Sequence, residues 1–149
     1  MKQKVHIGKE TSAVAMMVEA GLVSRFVDAL EIEDPLSTNP AAAKSAGLPG
    51  LLLPHVAAGT LGDYQSVIDL LELKPKQVLH SKDTVTVYEP ICVGNEMTVT
   101  TRVKDLYEQQ VGGNPMGFAI IEVIGTGKRS ARIFEAERVL AVRGGFPRR

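Results

Sequence analysis

Pro54-His55-Val56-Ala57-Ala58-Gly59-Thr60-Leu61-Gly62-Asp63-Tyr64-Gln65-Ser66-Val67-Ile68-Asp69-Leu70-Leu71 is the stretch on which the fold turns. Ala57, Leu61, Tyr64, Ile68 and Leu71 recur at spacings of 4, 3, 4 and 3, the signature of one helical face. Ala58, Gly59 and Gly62 strip side-chain bulk from the same stretch, so another backbone can approach it closely. The spacing predicts one long apolar helix from Pro54 to Leu71. Each glycine weakens such a helix by about 1 kcal/mol relative to alanine. Packing from outside must compensate, and a sheet wrapped around the helix is the expected source.

Beyond Gln77 the apolar period falls from helical to two. Thr84-Val85-Thr86-Val87-Tyr88 alternates, and Met97, Val99, Thr101 and Val103 alternate with Thr98, Thr100, Arg102 and Lys104. Gly112-Gly113-Asn114-Pro115 separates that second strand from Phe118–Val123, and Gly125-Thr126-Gly127-Lys128 separates the next from Ile133–Val142. Long strands joined by such short connections form an antiparallel meander. Glu89–Asn95 breaks the first two strands apart, with Pro90 confined to a turn or edge. Before the central helix, Lys4–Ile7 reads as a short strand, and Val18, Leu22, Phe26 and Leu30 place one helix ending before Pro35. Asn39-Pro40 caps a short helix over Ala41–Ala46 that Gly47 closes. The expectation is an α+β fold: a single domain over residues 1–149, a long central helix wrapped by a curled antiparallel sheet, and a frayed tail over 143–149.

Composition removes several function classes. Seventeen Lys and Arg balance seventeen Asp and Glu, against the basic excess of a nucleic-acid binder. Arg143, Arg148 and Arg149 cluster late, as a solvated tail. Apolar runs such as Ala13–Val18 and Leu51–Leu53 fall far short of the roughly 20 residues that span a bilayer. The absence of an export-type apolar core behind Met1-Lys2, the lone Cys92 and the lack of an Asn-x-Ser/Thr sequon lead to an expected cytoplasmic location. Cys92 itself reads as a small buried or edge residue.

The motifs of several chemistries fail on inspection. Gly127-Lys128 is followed by Arg129 where a phosphate-binding loop needs Ser or Thr, and Glu122 stands at its first glycine. His6, His55 and His80 have no partners at metal-ligand spacing, so no metal or cofactor is expected. Neither a Gly-x-Ser-x-Gly elbow nor a Gly-x-Gly-x-x-Gly fingerprint occurs.

Two signatures carry a resemblance. Asp34-Pro35-Leu36-Ser37-Thr38-Asn39-Pro40 followed by Ala43-Lys44-Ser45-Ala46-Gly47 resembles the overhanging segment of MaoC-like (R)-specific hydratases and dehydratases, with its Gly-Asp-x-Asn-Pro-Leu-His-x-Asp pattern. Val78-Leu79-His80 and then Tyr88-Glu89-Pro90-Ile91-Cys92-Val93-Gly94-Asn95-Glu96-Met97-Thr98-Val99 is similar to that family's second signature, closest to the N-terminal fatty-acid-synthase-like (FAS1-like) dehydratase branch. The resemblance implies a hot-dog fold and an acyl thioester on coenzyme A or acyl carrier protein (ACP), bound at a dimer interface. It implies hydration of an enoyl thioester, or the reverse dehydration of a (3R)-hydroxyacyl thioester, by an Asp and a His.

Laid on this chain, the pattern's Gly falls at Glu31, its catalytic Asp at Ile32, its Asn at Asp34, its catalytic His at Ser37 and its second acid at Asn39. Neither Ile32 nor Ser37 works as a general base near neutral pH. The first expectation is therefore a non-catalytic, accessory acyl-thioester-binding half. It would form a homodimer or a hetero-oligomer with a catalytic MaoC-like chain. The second is a self-sufficient dehydratase, hydratase or hot-dog thioesterase with relocated catalytic groups drawn from His55, Asp63 and His80. A third is a structural oligomer with a closed interior.

Candidate substrate contacts are Asp34, His55, Gly59, Gly62 and His80; at Gly59 and Gly62 a pantetheine arm or a neighbouring helix, in a hot-dog dimer the partner subunit's, can come close, and the others each have a plainer reading beside them. Asp34 forms an Asx turn or touches ligand. His55 is a first-turn surface group or meets a thioester carbonyl there. His80 is a buried histidine bonded to backbone or a catalyst. Asp63 is a solvent-facing or interface carboxylate, and Tyr64 and Phe118 belong to the core or an acyl tunnel.

Overall fold

The structure, a computed structural model, describes residues 1–148; Arg149 of the expected basic tail lies outside the described residues. Five antiparallel strands form one sheet: β1 (Val14–Met17), β2 (Val78–Val87), β3 (Glu96–Val111), β4 (Asn114–Thr126) and β5 (Arg132–Arg143). Their order across the sheet is β1-β3-β4-β5-β2. The expected meander is present as β3, β4 and β5, each hydrogen-bonded to the next. Gly112 and Gly113 turn β3 into β4 with φ of 57° and 80°, the double positive that a two-residue type I′ hairpin needs and a β-carbon would oppose. Val99, Val103, Ile121, Val123, Phe134, Leu140 and Val142 line the concave face as a core sealed from solvent.

The helices are α1 (Ala20–Leu30), α2 (Pro35–Thr38), α3 (Pro40–Ser45), α4 (His55–Ala58) and α5 (Tyr64–Leu70). The long central helix expected from Pro54 to Leu71 is interrupted. After α4 comes a single 3-10 turn over Gly59–Leu61, Gly62 swings to ψ 154°, and Asp63 starts α5 by accepting from the Ser66 N–H and hydroxyl at 3.1 and 2.6 Å. The 4-3-4-3 apolar spacing survives the break because both pieces keep their apolar side on the sheet. The glycines do what the sequence asked of them, with the chain's own sheet as the neighbour. A β-carbon on Gly59 would meet Asp83 Oδ2 at 2.7 Å, and one on Gly62 would meet Val123 Cγ2 at 2.7 Å. The chain passes so close that only glycine fits.

Three further expectations are corrected. Lys4–Ile7 is no strand: Lys2–His6 forms a 3-10 turn, and the first strand is β1, whose short run pairs with the start of β3. The tail does not fray over its described residues. Phe146 is 2% exposed and lies on Gly117, and its N–H donates to Glu108 Oε1 at 2.8 Å. A single aromatic ring, buried in place of a glycine side chain, outweighs the disorder usual at a terminus. Phe118 is not a core residue but sits on the convex face, stacked on Tyr107 with ring centroids 5.0 Å apart.

Candidate functional site

In a regular strand, residues three apart point to opposite faces. The pairing of β2 with β5 slips between His80 and Lys82, and the extra residue, Ser81, turns His80 and Asp83 to the same, concave side. There His80 Nε2 lies 3.0 Å from Asp83 Oδ1. Arg138 of β5, directly opposite Asp83, donates Nε to Oδ1 and Nη2 to Oδ2, both at 2.7 Å. Its guanidinium also stacks 4.4 Å above the Tyr64 ring, and the Tyr64 hydroxyl donates to the Gly59 carbonyl. This cluster joins the edge strand, the sheet and the broken central helix at one point.

The electrostatics follow from burial and pairing. Burial pushes the Asp83 carboxyl up, but the hydrogen bonds and charge of Arg138, with a smaller pull from His80, hold it below its ordinary value. Burial pushes the Tyr64 phenol up to about 12, against an opposing pull from Arg138. Asp83 and Arg138 side chains are only 17% and 12% exposed, whereas His80 is 50% exposed. His80 is thus a half-exposed ion-pair partner and not the buried, backbone-bonded histidine expected. A bidentate arginine occupies both oxygens of the carboxylate that His80 touches.

The other sequence-nominated residues lie apart from this cluster. Asp34 caps α2, accepting from the Leu36 N–H at 2.9 Å, and Asn39 caps α3 through Ala41 and Ala42. His55 is exposed at the start of α4. Asp63, expected to face solvent or an interface, is a helix cap whose own N–H donates to Thr101 Oγ1 at 2.9 Å. No hydrogen bond or ion pair among the described residues connects His55, Asp63 and His80. Gly59 and Gly62 are filled from within the chain.

The overhang between α1 and β2 keeps its architecture. α2 and α3 run consecutively, and Leu51–Leu53 then pairs with Ile91–Val93 around the Leu52–Cys92 bridge. Ser37 is buried, at 3% exposure. Cys92 is buried too, and burial pushes its thiol up, away from the reactive thiolate.

A cavity of about 700 Å³ opens elsewhere, between the Leu48-Pro49 turn, Pro90, Cys92, Glu96 and Lys128. A second, of about 510 Å³, shares Glu96, Gly127 and Lys128 with it and extends along Met16 and Met17. None of the nominated contacts lines either cavity. Sequence reasoning missed Arg138 and Asp83 altogether. A signal was present: each is a charge at an inward position of an alternating strand, in Phe134-x-Ala136-x-Arg138-x-Leu140 and in Asp83-x-Val85-x-Val87.

No group of three or more His, Cys, Asp or Glu side chains suited to a metal ion occurs among the described residues, and no helix there is long and apolar enough to cross a membrane. No curated protein sequence matches the chain. Solved structures do. The (3R)-hydroxyacyl-ACP dehydratase complex HadBC from Mycobacterium tuberculosis is similar with a TM-score of 0.74 at 14% identity, over 91% of this chain and 96% of that one. The (R)-hydratase of A. caviae involved in PHA biosynthesis is similar with a TM-score of 0.64 at 18% identity, over 95% and 96%. A Mycobacterium tuberculosis protein with a double hot-dog fold is similar with a TM-score of 0.63 at 17% identity, over 93% of this chain and 42% of that one. The family described as FAS1-like, dehydratase domain region, matches residues 5–136. With a curled antiparallel sheet closed over its central helical segment, the hot-dog fold of its structural neighbours, and a family match along most of its length, this chain belongs to the family described as FAS1-like, dehydratase domain region.

Proposed function

We propose that the chain is the accessory, acyl-thioester-binding half of a MaoC-like dehydratase, acting in fatty-acyl metabolism in the cytoplasm. The observation that carries this reading is the overhang itself: its two capped helices are intact, but Ile32 and the buried Ser37 stand where the resemblance puts the proton-handling Asp and His. A hydrocarbon accepts no proton, and a buried serine without a base is no general base. The groove between the Leu48-Pro49 turn and Lys128, with Met16 and Met17 at its far end, suits a long, largely apolar acyl-pantetheine arm.

A partner is supported by the sheet edge. β2 is bonded only to β5, so its outer N–H and C=O groups face outward along Val78–Val87, beside the exposed Val56 and Leu79. Such an edge favours a second strand, from another copy or from a catalytic relative. The similar HadBC structure is a complex.

The 3.0 Å His80–Asp83 contact favours a second reading, an enzyme complete in itself. One assay separates the two. Purified chain mixed with crotonyl-coenzyme A is expected to leave the enoyl absorbance unchanged, and addition of a MaoC-like partner bearing the Asp and His is expected to make it fall. Robust hydration by the chain alone that disappears in His80→Ala would overturn the accessory reading in favour of the second.

A further inference from the structure

A sheet with one solvated face alternates apolar residues inward with polar ones outward. The second half of β4 obeys except at Ile124, with Glu122 and Thr126 outward on either side of it, but its first half is apolar on both sides. Ala119 and Ile121 lie in the core, while Phe118 and Ile120 stand on the convex face, which no helix covers. The register extends this across four strands. Leu79, Ala141, Phe118 and Tyr107 form one outward row, directly opposite one another in turn. Lys82, Val139, Ile120 and Asp105 form the next. Leu79 and Tyr107 are 38% and 39% exposed. The next row, Thr84, Glu137, Glu122 and Arg102, is polar and already neutralised, by Arg102–Glu122 and Lys104–Glu137 at 2.6 Å each.

The charges at the two ends of the second row identify the occupant. Lys82 closes it at the β2 edge and Asp105 at the β3 edge, both are exposed, and neither has an ion-pair partner among the described residues. When a second copy of the same face is laid over the first by a two-fold axis running along the strands, left and right exchange. Each Lys82 then falls over the other copy's Asp105, and the apolar rows meet each other. Sheets packed face to face hold their strands within about 30° of parallel, which keeps that overlap. Four strands about 4.8 Å apart and two outward positions along each make a patch of about 260 Å², apolar except for Lys82 and Asp105 at its ends. A stable interface takes roughly 800 Å² from each partner, a little over half of it apolar. The patch supplies the apolar centre of such an interface, and the paired charges at its margins supply a rim that needs no foreign partner.

We infer that this convex face binds a second copy of the chain back to back, with reciprocal Lys82–Asp105 pairs at its margins. The contact is separate from the β2 edge and does not depend on the thioester reading. Sedimentation velocity on the full chain tests it. The wild-type chain is expected to run at twice the mass of Tyr107→Lys and of Lys82→Glu. The double variant Lys82→Glu/Asp105→Lys, which restores both pairs with reversed sign, is expected to regain the wild-type mass. Far-UV circular dichroism checks that each variant is folded, and Lys82→Glu, at an exposed position, keeps the test alive if Tyr107→Lys does not fold. Equal masses for the wild type and folded single variants would overturn the inference, as would a double variant that stays at half mass. A different protein or a membrane surface as the true occupant would give the first of these results.

Discussion

Asp83→Ala is expected to cost the fold about 1–3 kcal/mol, because it removes one partner of a half-buried ion pair and leaves the other behind. The Arg138 side chain is 12% exposed, and besides Asp83 its charge faces the Tyr64 ring. The double variant Asp83→Leu/Arg138→Met, which replaces the pair with apolar groups of similar volume, is expected to recover most of that loss. His80→Ala, removing a half-exposed partner, is expected to stay within about 0.5 kcal/mol of wild type. Urea unfolding followed by circular dichroism measures all three. A single-site loss for Asp83→Ala below about 1 kcal/mol would mean that water already reaches the guanidinium and that the cluster is not a structural lock.

The same pair predicts a pH dependence of definite sign. Asp83 is held below its ordinary value of 3.8, so the folded protein keeps the carboxylate charged where the unfolded chain would protonate it. The pair's stabilisation is complete above the unfolded value and is lost as pH falls through the lower folded one. The stability gap between wild type and Asp83→Asn is therefore expected to be constant from neutral pH down to about 5 and to narrow below 4. A gap that widened in acid would contradict the assignment of Arg138 as the dominant partner.

How much of this was legible in the chain differs from element to element, for physical reasons. β3, β4 and β5 announce themselves because a half-buried strand has a fixed period of two and the β3–β4 turn needs Gly112 and Gly113, while Gly125, read as part of the next connection, lies inside β4. The helix break at Gly62 was hidden because apolar spacing reports which side faces the core, not whether backbone hydrogen bonds continue. Asp63 was the available clue, a side chain suited to starting a helix three residues before Ser66. Most of β2 was missed because Ser81 resets the period in the middle of the strand, so Val78–His80 and Asp83–Val87 do not share one alternation. The candidate site suffered more. His80 was nominated from its motif, but its meaning depends on Arg138, 58 positions further on, which only the closing of β2 onto β5 brings near. Histidine, the residue chemistry draws attention to, is here the peripheral member, and an arginine that looked like ordinary strand polarity is the central one.

Phe134 makes the second large prediction, and it concerns the curl of the sheet. Phe134 is fully buried and sits directly across from Gly125 in the β4–β5 register, its ring lying over the space where a side chain at 125 would stand. A glycine inside a strand, here the next-to-last residue of β4, weakens it, and an aromatic neighbour covering it restores contact. Phe134→Ala is expected to cost about 3–5 kcal/mol, since it opens a cavity at the site of a large core side chain. Gly125→Ala is expected to cost about 1–3 kcal/mol, because the new methyl would collide with the Phe134 ring. The two effects should not add. With the ring trimmed in Gly125→Ala/Phe134→Leu, the methyl has somewhere to go, and the double variant should be more stable than the sum of Gly125→Ala and Phe134→Leu by about 1 kcal/mol or more. Denaturant midpoints for the four proteins close that cycle. Strict additivity would mean that the glycine is required for backbone bending alone and that the ring above it is a bystander.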